Sequence, residues 1–143
     1  MEGGKFKNCI VAYVDGSYSD AIKKYSYGVV ILDLGRTILY GSGNDSDYLP
    51  MRNIAGEILG SVKAILWAIE QGYKKITIYY DYEGIEKWAN NKWKANKPGT
   101  IRYKQFIKDK HNIIDICFQK VKAHTGDKYN EMADSLAKQA LGL

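Results

Sequence analysis

The sequence predicts an α/β domain: a mixed sheet of three early strands and two later ones, with helices on its faces. Three observations carry this. The runs "NCIVAYVDGS", "YSYGVVILDLG" and "RTILYGSG" are rich in β-formers, and Gly35 separates the last two, as in a hairpin meander. Two later strand-like runs, "KKITIYYD" and "NIIDICFQKV", alternate with helical segments, the pattern of strands joined by crossover helices. The chain of 143 residues has no internal repeat, linker or low-complexity tract, which fits one domain with a sizeable core.

Each element follows in order. The first strand is expected to end at Asp15. After the meander, "DSDYLPMRNIAGEILGSVKAILWAIEQG" gives a loop and then a helix from about residue 52 to 71, stopped by Gly72. Its stripe Ile54, Ile58, Val62, Ile65 and Ile69 predicts the buried face. The strand "KKITIYYD" leads into a short helix in "YEGIEKWAN", the basic stretch "NKWKANKPGT", a helix in "IRYKQFIKDK" and the last strand. The final helix starts near Asp127, a suitable N-cap, with Tyr129, Met132, Ala133, Leu136 and Ala140 as its apolar stripe. "GSGNDSDY", at residues 41–48, lacks the glutamate of a calcium loop and reads as solvated.

Composition narrows the class. With 45% hydrophobic and 26% charged residues the chain is ordinary for a globular protein, which argues against disorder. No apolar run approaches the ~20 residues of a membrane span, and no secretory leader is evident, so a soluble cytoplasmic protein is expected. Cys9 and Cys117 fall in strand stretches without a CxxC pattern and read as reduced core residues. The net charge of +5 is concentrated: Lys87–Lys110 holds eight bases and one acid, leaving the remainder slightly acidic. Interleaved with Trp88, Trp93 and Tyr103, this block suits a polyanion-facing patch, although a solvated basic helix would read the same way.

Four carboxylates stand out. Alternation puts Asp15 on the face of Val11 and Tyr13, and Asp81 on the face of Thr77 and Tyr79, each at a strand's carboxyl end, where open α/β sheets build their sites. Both could equally mark turns. Glu57 lies in the first turns of its helix, roughly 100° from the centre of the stripe, on its shoulder. Asp134 lies off the stripe of the last helix, which by periodicity alone means surface, and His124 precedes that helix in a small-residue loop. Hard oxygen donors suit Mg²⁺, and a pair of such ions suits phosphodiester cleavage. No nucleophile elbow, zinc-protease, P-loop or dinucleotide motif supports another chemistry.

In this order and spacing, "YVDGSY", "NIAGE", "IYYDYEGIEKW" and "VKAHTGDKYNEMADSLAKQA" resemble type 1 ribonuclease H of the bacterial HI group, over essentially the whole chain from about residue 8. The wording "DYEGIEKWA…WKANKPGT" is most similar to members that carry a viroplasmin-like hybrid-binding domain; these 143 residues do not include one, and "MEGG" reads equally as a natural start or the trace of a cut. The resemblance implies residues 1–7 as an extension and 8–143 as a catalytic domain with a five-stranded mixed sheet, a three-strand antiparallel meander plus two parallel strands. It implies an endonuclease that cuts the RNA strand of RNA–DNA hybrids, leaving 5′-phosphate and 3′-hydroxyl ends with little sequence preference. The sequence shows no sign of an obligatory protein partner, and a monomer is expected. Asp15, Glu57, Asp81 and Asp134 match the family's carboxylates for two Mg²⁺ ions, with Mn²⁺ a possible substitute, and His124 matches a histidine beside the leaving group. Gly16, Ser17, Tyr18 and Asn53 match substrate-contacting positions. Glu83 stands where many members have an amide and, when ionised, cannot donate a hydrogen bond. Lys92, Trp93 and Lys94 would do part of the work of a longer basic protrusion by touching the DNA strand. Another nuclease of the same fold, or a non-catalytic binding module that kept it, are the competing readings.

Overall fold

The computed structural model describes residues 8–122 and 127–143. Its elements run β1 (Cys9–Ser19), β2 (Lys24–Leu32), β3 (Thr37–Gly43), a single 3-10 turn (Leu49–Met51), α1 (Asn53–Glu70), β4 (Lys75–Tyr80), α2 (Gly84–Ala89), α3 (Pro98–Lys110), β5 (Asp115–Lys120) and α4 (Lys128–Gln139). This is the expected order, with the 3-10 turn added. The sheet order is β3-β2-β1-β4-β5. The meander β1-β2-β3 is antiparallel, while β1–β4 and β4–β5 are parallel.

The first strand does not stop at Asp15. Its hairpin pairing with β2 continues through Asp15↔Gly28 to Ser19↔Lys24, whereas its parallel pairing with β4 ends at Tyr13↔Tyr79. Asp15 therefore sits where one edge of β1 is still held and the other has opened.

Alternation sends the two sides of the sheet to different helices. Ile10, Ala12 and Val14 of β1 join Ile76, Ile78 and Tyr80 of β4 in the main core, with Ile58, Ala64, Ile65 and Ala68 of α1 and Tyr103 and Ile107 of α3. Val30 meets Ala133 and Leu136 of α4 on the opposite side, flanked by Tyr13, Leu32, Tyr129 and Met132. Asp127 caps α4 as expected, accepting from the N–H groups of Tyr129 and Asn130 at 3.0 Å.

The buried arc of α1 differs from the predicted stripe. It is formed by Ala55, Gly56, Glu57, Ile58, Gly60, Ser61, Ala64, Ile65 and Ala68, while Ile54, Val62 and Ile69 are only partly covered. The cause is backbone approach. A Cβ on Gly56 would lie 1.8 Å from the Ser26 carbonyl oxygen, and one on Gly16 would lie 2.2 Å from that of Asn53. Small residues let the helix settle directly on β1 and β2, so it is rotated toward them and away from its bulkier apolar positions.

Two other expectations need correction. Cys9 is exposed and Cys117 half-buried, and both are free; Cys9 opens β1 at the end of the sheet, so it is not a core residue. The loop at 41–48 is also not simply solvated: Arg102 Nη1 donates to Asp45 at 2.9 Å and Asp47 at 3.1 Å, with its guanidinium over the Tyr48 ring at 4.8 Å, tying the loop to α3. Among the described residues, no helix is long and apolar enough to cross a membrane.

The α1–sheet approach makes a direct prediction. Gly56→Ala is expected to lower unfolding free energy by about 2–3 kcal/mol through overpacking. Gly35→Ala, where an added Cβ meets nothing within 4 Å, is expected to stay within about 0.5 kcal/mol of the parent. Urea unfolding of the two variants checks the contrast.

Candidate active site

The carboxylates predicted from sequence converge. Asp15 emerges on the α4 side of β1, and Asp81 follows the last residue of β4, the adjacent parallel strand. Just before them, Tyr13 and Tyr79 stack at 4.6 Å between ring centroids, and Tyr129 of α4 leans on Tyr13 at 5.4 Å, giving the strand ends an aromatic footing. Glu57 comes from the opposite layer. It is only 4% exposed, and its carboxylate accepts the Asp81 N–H at 2.6 Å and, more weakly, the Tyr82 N–H at 3.3 Å. The rotation of α1 thus turns a predicted shoulder position into a buried one. Asp134, expected at the surface, is half-buried: its carboxylate contacts that of Asp15 and also takes Lys138 Nζ at 3.1 Å.

Comparison with known proteins agrees with this geometry. The family model described as RNase H matches residues 7–142. The chain belongs to the RNase H family. The ribonuclease H of Neorickettsia sennetsu is 32% identical over 140 residues, covering 90% of each chain. That of Francisella tularensis subsp. novicida is 31% identical over 160 residues, covering 99% of this chain and 96% of its own. Among solved structures, RNase H1 from Halobacterium salinarum superimposes with a TM-score of 0.77 at 22% identity, covering 94% of this chain and 98% of that one. LC11-RNase H1, solved in complex with an RNA/DNA hybrid, gives 0.70 at 17% identity, covering 92% and 99%. At these identities the two structures speak to the fold, and the fold is that of RNase H.

The candidate substrate residues of this RNase H domain are less uniformly placed. Gly16, Ser17 and Tyr18 continue β1 beyond Asp15, with the Gly16 N–H donating to Asp15 Oδ1 at 2.9 Å. Asn53 is exposed at the first position of α1, its carbonyl against Gly16. Glu83 is exposed and engaged by Lys87. Lys92 and Lys94 are exposed, but Trp93 is half-buried, packed edge-on to Trp88 at 5.7 Å and Tyr82 at 6.1 Å, with Lys87 Nζ 5.3 Å above its ring. His124 lies outside the described residues. Of the basic block, Lys87 and Arg102 are committed to Glu83 and to Asp45 and Asp47, so the patch is smaller than its charge count. Sequence reasoning overlooked Arg52, exposed beside Asn53 with its guanidinium over the Tyr18 ring at 5.7 Å. Nothing in the local pattern distinguishes it from any polar residue before a helix.

The site's electrostatics are those of crowded acids. Burial, then the charges of Asp134 and Asp81 and the contact with Asp134, push the Asp15 carboxyl up to about 7, against the Gly16 N–H that favours ionisation. Burial also pushes Glu57 up to about 8, with Asp15 and Asp81 adding to it and the amides of Asp81 and Tyr82 opposing. The donors are hard oxygens, as a magnesium-type cation requires. As they stand, no three His, Cys, Asp or Glu side chains among the described residues close into a metal cage. Glu57 is held by backbone amides and Asp134 by Lys138.

These shifts fix a pH dependence. Unfolded carboxylates titrate near 4, so the folded metal-free protein holds extra protons between roughly pH 4 and the raised values of about 7 and 8 for Asp15 and Glu57. Stability is then fully present at the acid end of this window and falls as pH rises through it. Melting temperatures in EDTA are expected to decline from about pH 5 to pH 8, with a shallower decline in Asp15→Asn. Equal slopes in the two proteins would remove Asp15 as the titrating group.

Proposed function

We propose that this chain, with residues 8–143 as its catalytic domain, is an endonuclease that hydrolyses the RNA strand of RNA–DNA hybrids with divalent-metal assistance. The observation that carries the reading is the convergence of Asp15, Asp81, Asp134 and buried Glu57 at the open carboxyl ends of β1 and β4, with acids crowded enough to raise one another's affinity for protons. Such a cluster repels phosphate unless cations occupy it. Membership of the RNase H family supports the activity, and the named ribonucleases H and the hybrid-bound LC11-RNase H1 support the substrate.

Asp15, Glu57, Asp81 and Asp134 would hold the metal, Mg²⁺ by preference of the oxygen donors and Mn²⁺ as a substitute. When bound, a pair of such ions supplies activation of a water and neutralisation of the leaving oxygen. The protein's own groups do the rest. Glu57, fixed by two backbone amides, sets the position of the strand-borne acids relative to α1. Water adds to phosphorus and the P–O3′ bond breaks, so the phosphate remains on the 5′ end and the 3′ oxygen takes up a proton. His124, which matches a family histidine beside the leaving group, would assist that proton transfer or the release of product. Gly16, Ser17, Tyr18 and Asn53 border the acids on the β1–α1 side and would approach the RNA, where the 2′-hydroxyl separates RNA from DNA. Lys92 and Lys94, exposed beside half-buried Trp93, would hold phosphates of the DNA strand, contacts that carry no sequence information. Glu83, an acceptor already engaged by Lys87, contributes no donor there. The protein would act as a monomer in the cytoplasm.

End-labelled RNA–DNA hybrid incubated with the protein in Mg²⁺ is expected to be cut in its RNA strand alone, leaving 5′-phosphate ends, while RNA–RNA and DNA–DNA duplexes stay intact and EDTA abolishes cutting. Asp81→Asn is expected to lower the rate at least about 100-fold, the scale on which loss of one electrostatic contributor acts. An intact hybrid in both Mg²⁺ and Mn²⁺, from folded protein, would refute the nuclease reading.

A further inference from the structure

Three tyrosines accompany three of the acids. Tyr13 stands two residues before Asp15 on β1, Tyr79 two residues before Asp81 at the end of β4, and Tyr129 five residues before Asp134 on α4. Side chains in a strand repeat their direction every second residue, so each strand tyrosine shares the face of its acid, roughly 7 Å below it. The rings touch one another. Tyr13 and Tyr79 are stacked, with 4.6 Å between centroids and 17° between planes, and Tyr129 leans on Tyr13 at 5.4 Å and 44°. Arg36 and Lys128 lie over Tyr129 at 5.6 and 5.7 Å. Every acid-bearing element except α1 therefore adds one ring to the cluster.

The stack sits where the sheet opens. Tyr13↔Tyr79 is the last pair of the β1–β4 ladder. Beyond it β1 stays paired with β2 as far as Ser19↔Lys24, and β4 stays paired with β5 through Tyr80↔Lys120 and the Val121 N–H donated to the Tyr80 carbonyl at 2.8 Å. Each strand end is thus held on its outer side, while the ladder between Asp15 and Asp81 has stopped. The charges of Asp81 and Asp134 bear on Asp15, and like charges drive these ends apart. Flat rings in offset contact resist that separation.

We infer that Tyr79, stacked on Tyr13, is a positioning residue that sets the spacing of Asp15 and Asp81 and thereby the cluster's preference for small divalent cations. The inference rests on the proposed nuclease reading and deepens it. Mg²⁺ demands short, near-octahedral oxygen contacts, whereas Ca²⁺ accepts longer and more variable ones. Carboxylates that drift apart therefore lose Mg²⁺ before they lose Ca²⁺. Tyr129 extends the same control to α4, which carries Asp134.

The test uses the full chain with Tyr79→Leu, Tyr79→Phe, Tyr129→Leu and Tyr73→Leu. Mg²⁺ and Ca²⁺ binding to the substrate-free protein is read by calorimetry, and hybrid cleavage is followed across a Mg²⁺ titration. Tyr79→Leu is expected to weaken Mg²⁺ binding by about 3–10-fold, the range that loss of one aromatic pair spans. Its Ca²⁺ affinity should stay within about twofold of the parent's. The Mg²⁺ midpoint for cleavage should rise by the same factor, with KM for hybrid at saturating Mg²⁺ within about twofold. Tyr79→Phe keeps the ring and should behave as the parent. Tyr129→Leu should give a smaller loss of Mg²⁺ affinity, and it decides the matter if Tyr79→Leu does not fold. Tyr73→Leu removes a comparable stack, on Trp67 at 5.8 Å and 23°, at the opposite end of β4. It should lower the melting temperature and leave Mg²⁺ affinity unchanged. Metal-free crystal structures of the parent and Tyr79→Leu should show the Asp15 and Asp81 Cα atoms further apart in the variant. Parent-like Mg²⁺ affinity in Tyr79→Leu overturns the inference, as does an equal loss for Mg²⁺ and Ca²⁺, or an equal loss in Tyr73→Leu. If the parent protein neither binds Mg²⁺ nor cuts hybrid, the nuclease reading falls by itself, and the pair of crystal structures still decides whether the stack sets the spacing.

Discussion

Glu57 reaches the sheet from a helix, and the amide groups of Asp81 and Tyr82 receive it. That bond joins the two layers at the point where the chemistry is proposed, and it forms only because α1 lies so close to β1 and β2. Gly16 and Gly56 face each other across the layers, with the Ser26 carbonyl beneath Gly56. A methyl group at either glycine would lift the first turns of α1 and take the glutamate off the strand end. Burying a carboxylate is costly, and two backbone donors offset only part of that cost. The remainder is what proton uptake relieves, which is why burial pushes the Glu57 carboxyl up to about 8.

The other side of the sheet repeats the device. Gly28 admits the Ala133 carbonyl of α4, where an added Cβ would come within 2.2 Å, and Ser26 Oγ donates to the Ala137 carbonyl at 2.5 Å. Ser26 thus serves both layers, its carbonyl under α1 and its hydroxyl under α4. Through this seating α4 carries Asp134 against Asp15, although the residue lies off the helix's apolar stripe. Two close helix–sheet contacts, one on each side of β1 and β2, bring acids from four separate elements into one electrostatic unit.

Much of this was legible in the sequence. The succession of strands and helices followed from the β-rich runs and the helical segments between them, and alternation placed Asp15 and Asp81 at the carboxyl ends of their strands; that the two strands lie side by side came from the structure. The orientation of α1 was not legible, because hydrophobic periodicity counts apolar bulk whereas this helix is seated by its smallest residues. The same blindness left Asp134 at the surface. Charge counting overstated the basic segment, since composition cannot show that Arg102 closes on Asp45 and Asp47 or that Lys87 closes on Glu83. Cys9 lies in a strand, as read, but at the uncovered end of the sheet. Arg52 takes a positive φ of 57° where the 3-10 segment meets α1, a turn that residue types at 49–53 do not encode.

The position of β1 has a consequence for how the protein is made. It is the first strand translated and the middle one of the sheet, flanked by β2 and β4. The meander can close while the chain is emerging, since β2 and β3 follow at once. The other edge of β1 must wait for β4, and the face carrying the main-core residues Ala12 and Val14 must wait for α1, several seconds of synthesis at about 5–20 residues per second. During that interval a nascent chain presents an apolar sheet face and an unpaired strand edge, the features to which chaperones and stray strands bind. The central place of β1 that gathers the acids in the finished molecule is also its period of greatest exposure on the ribosome.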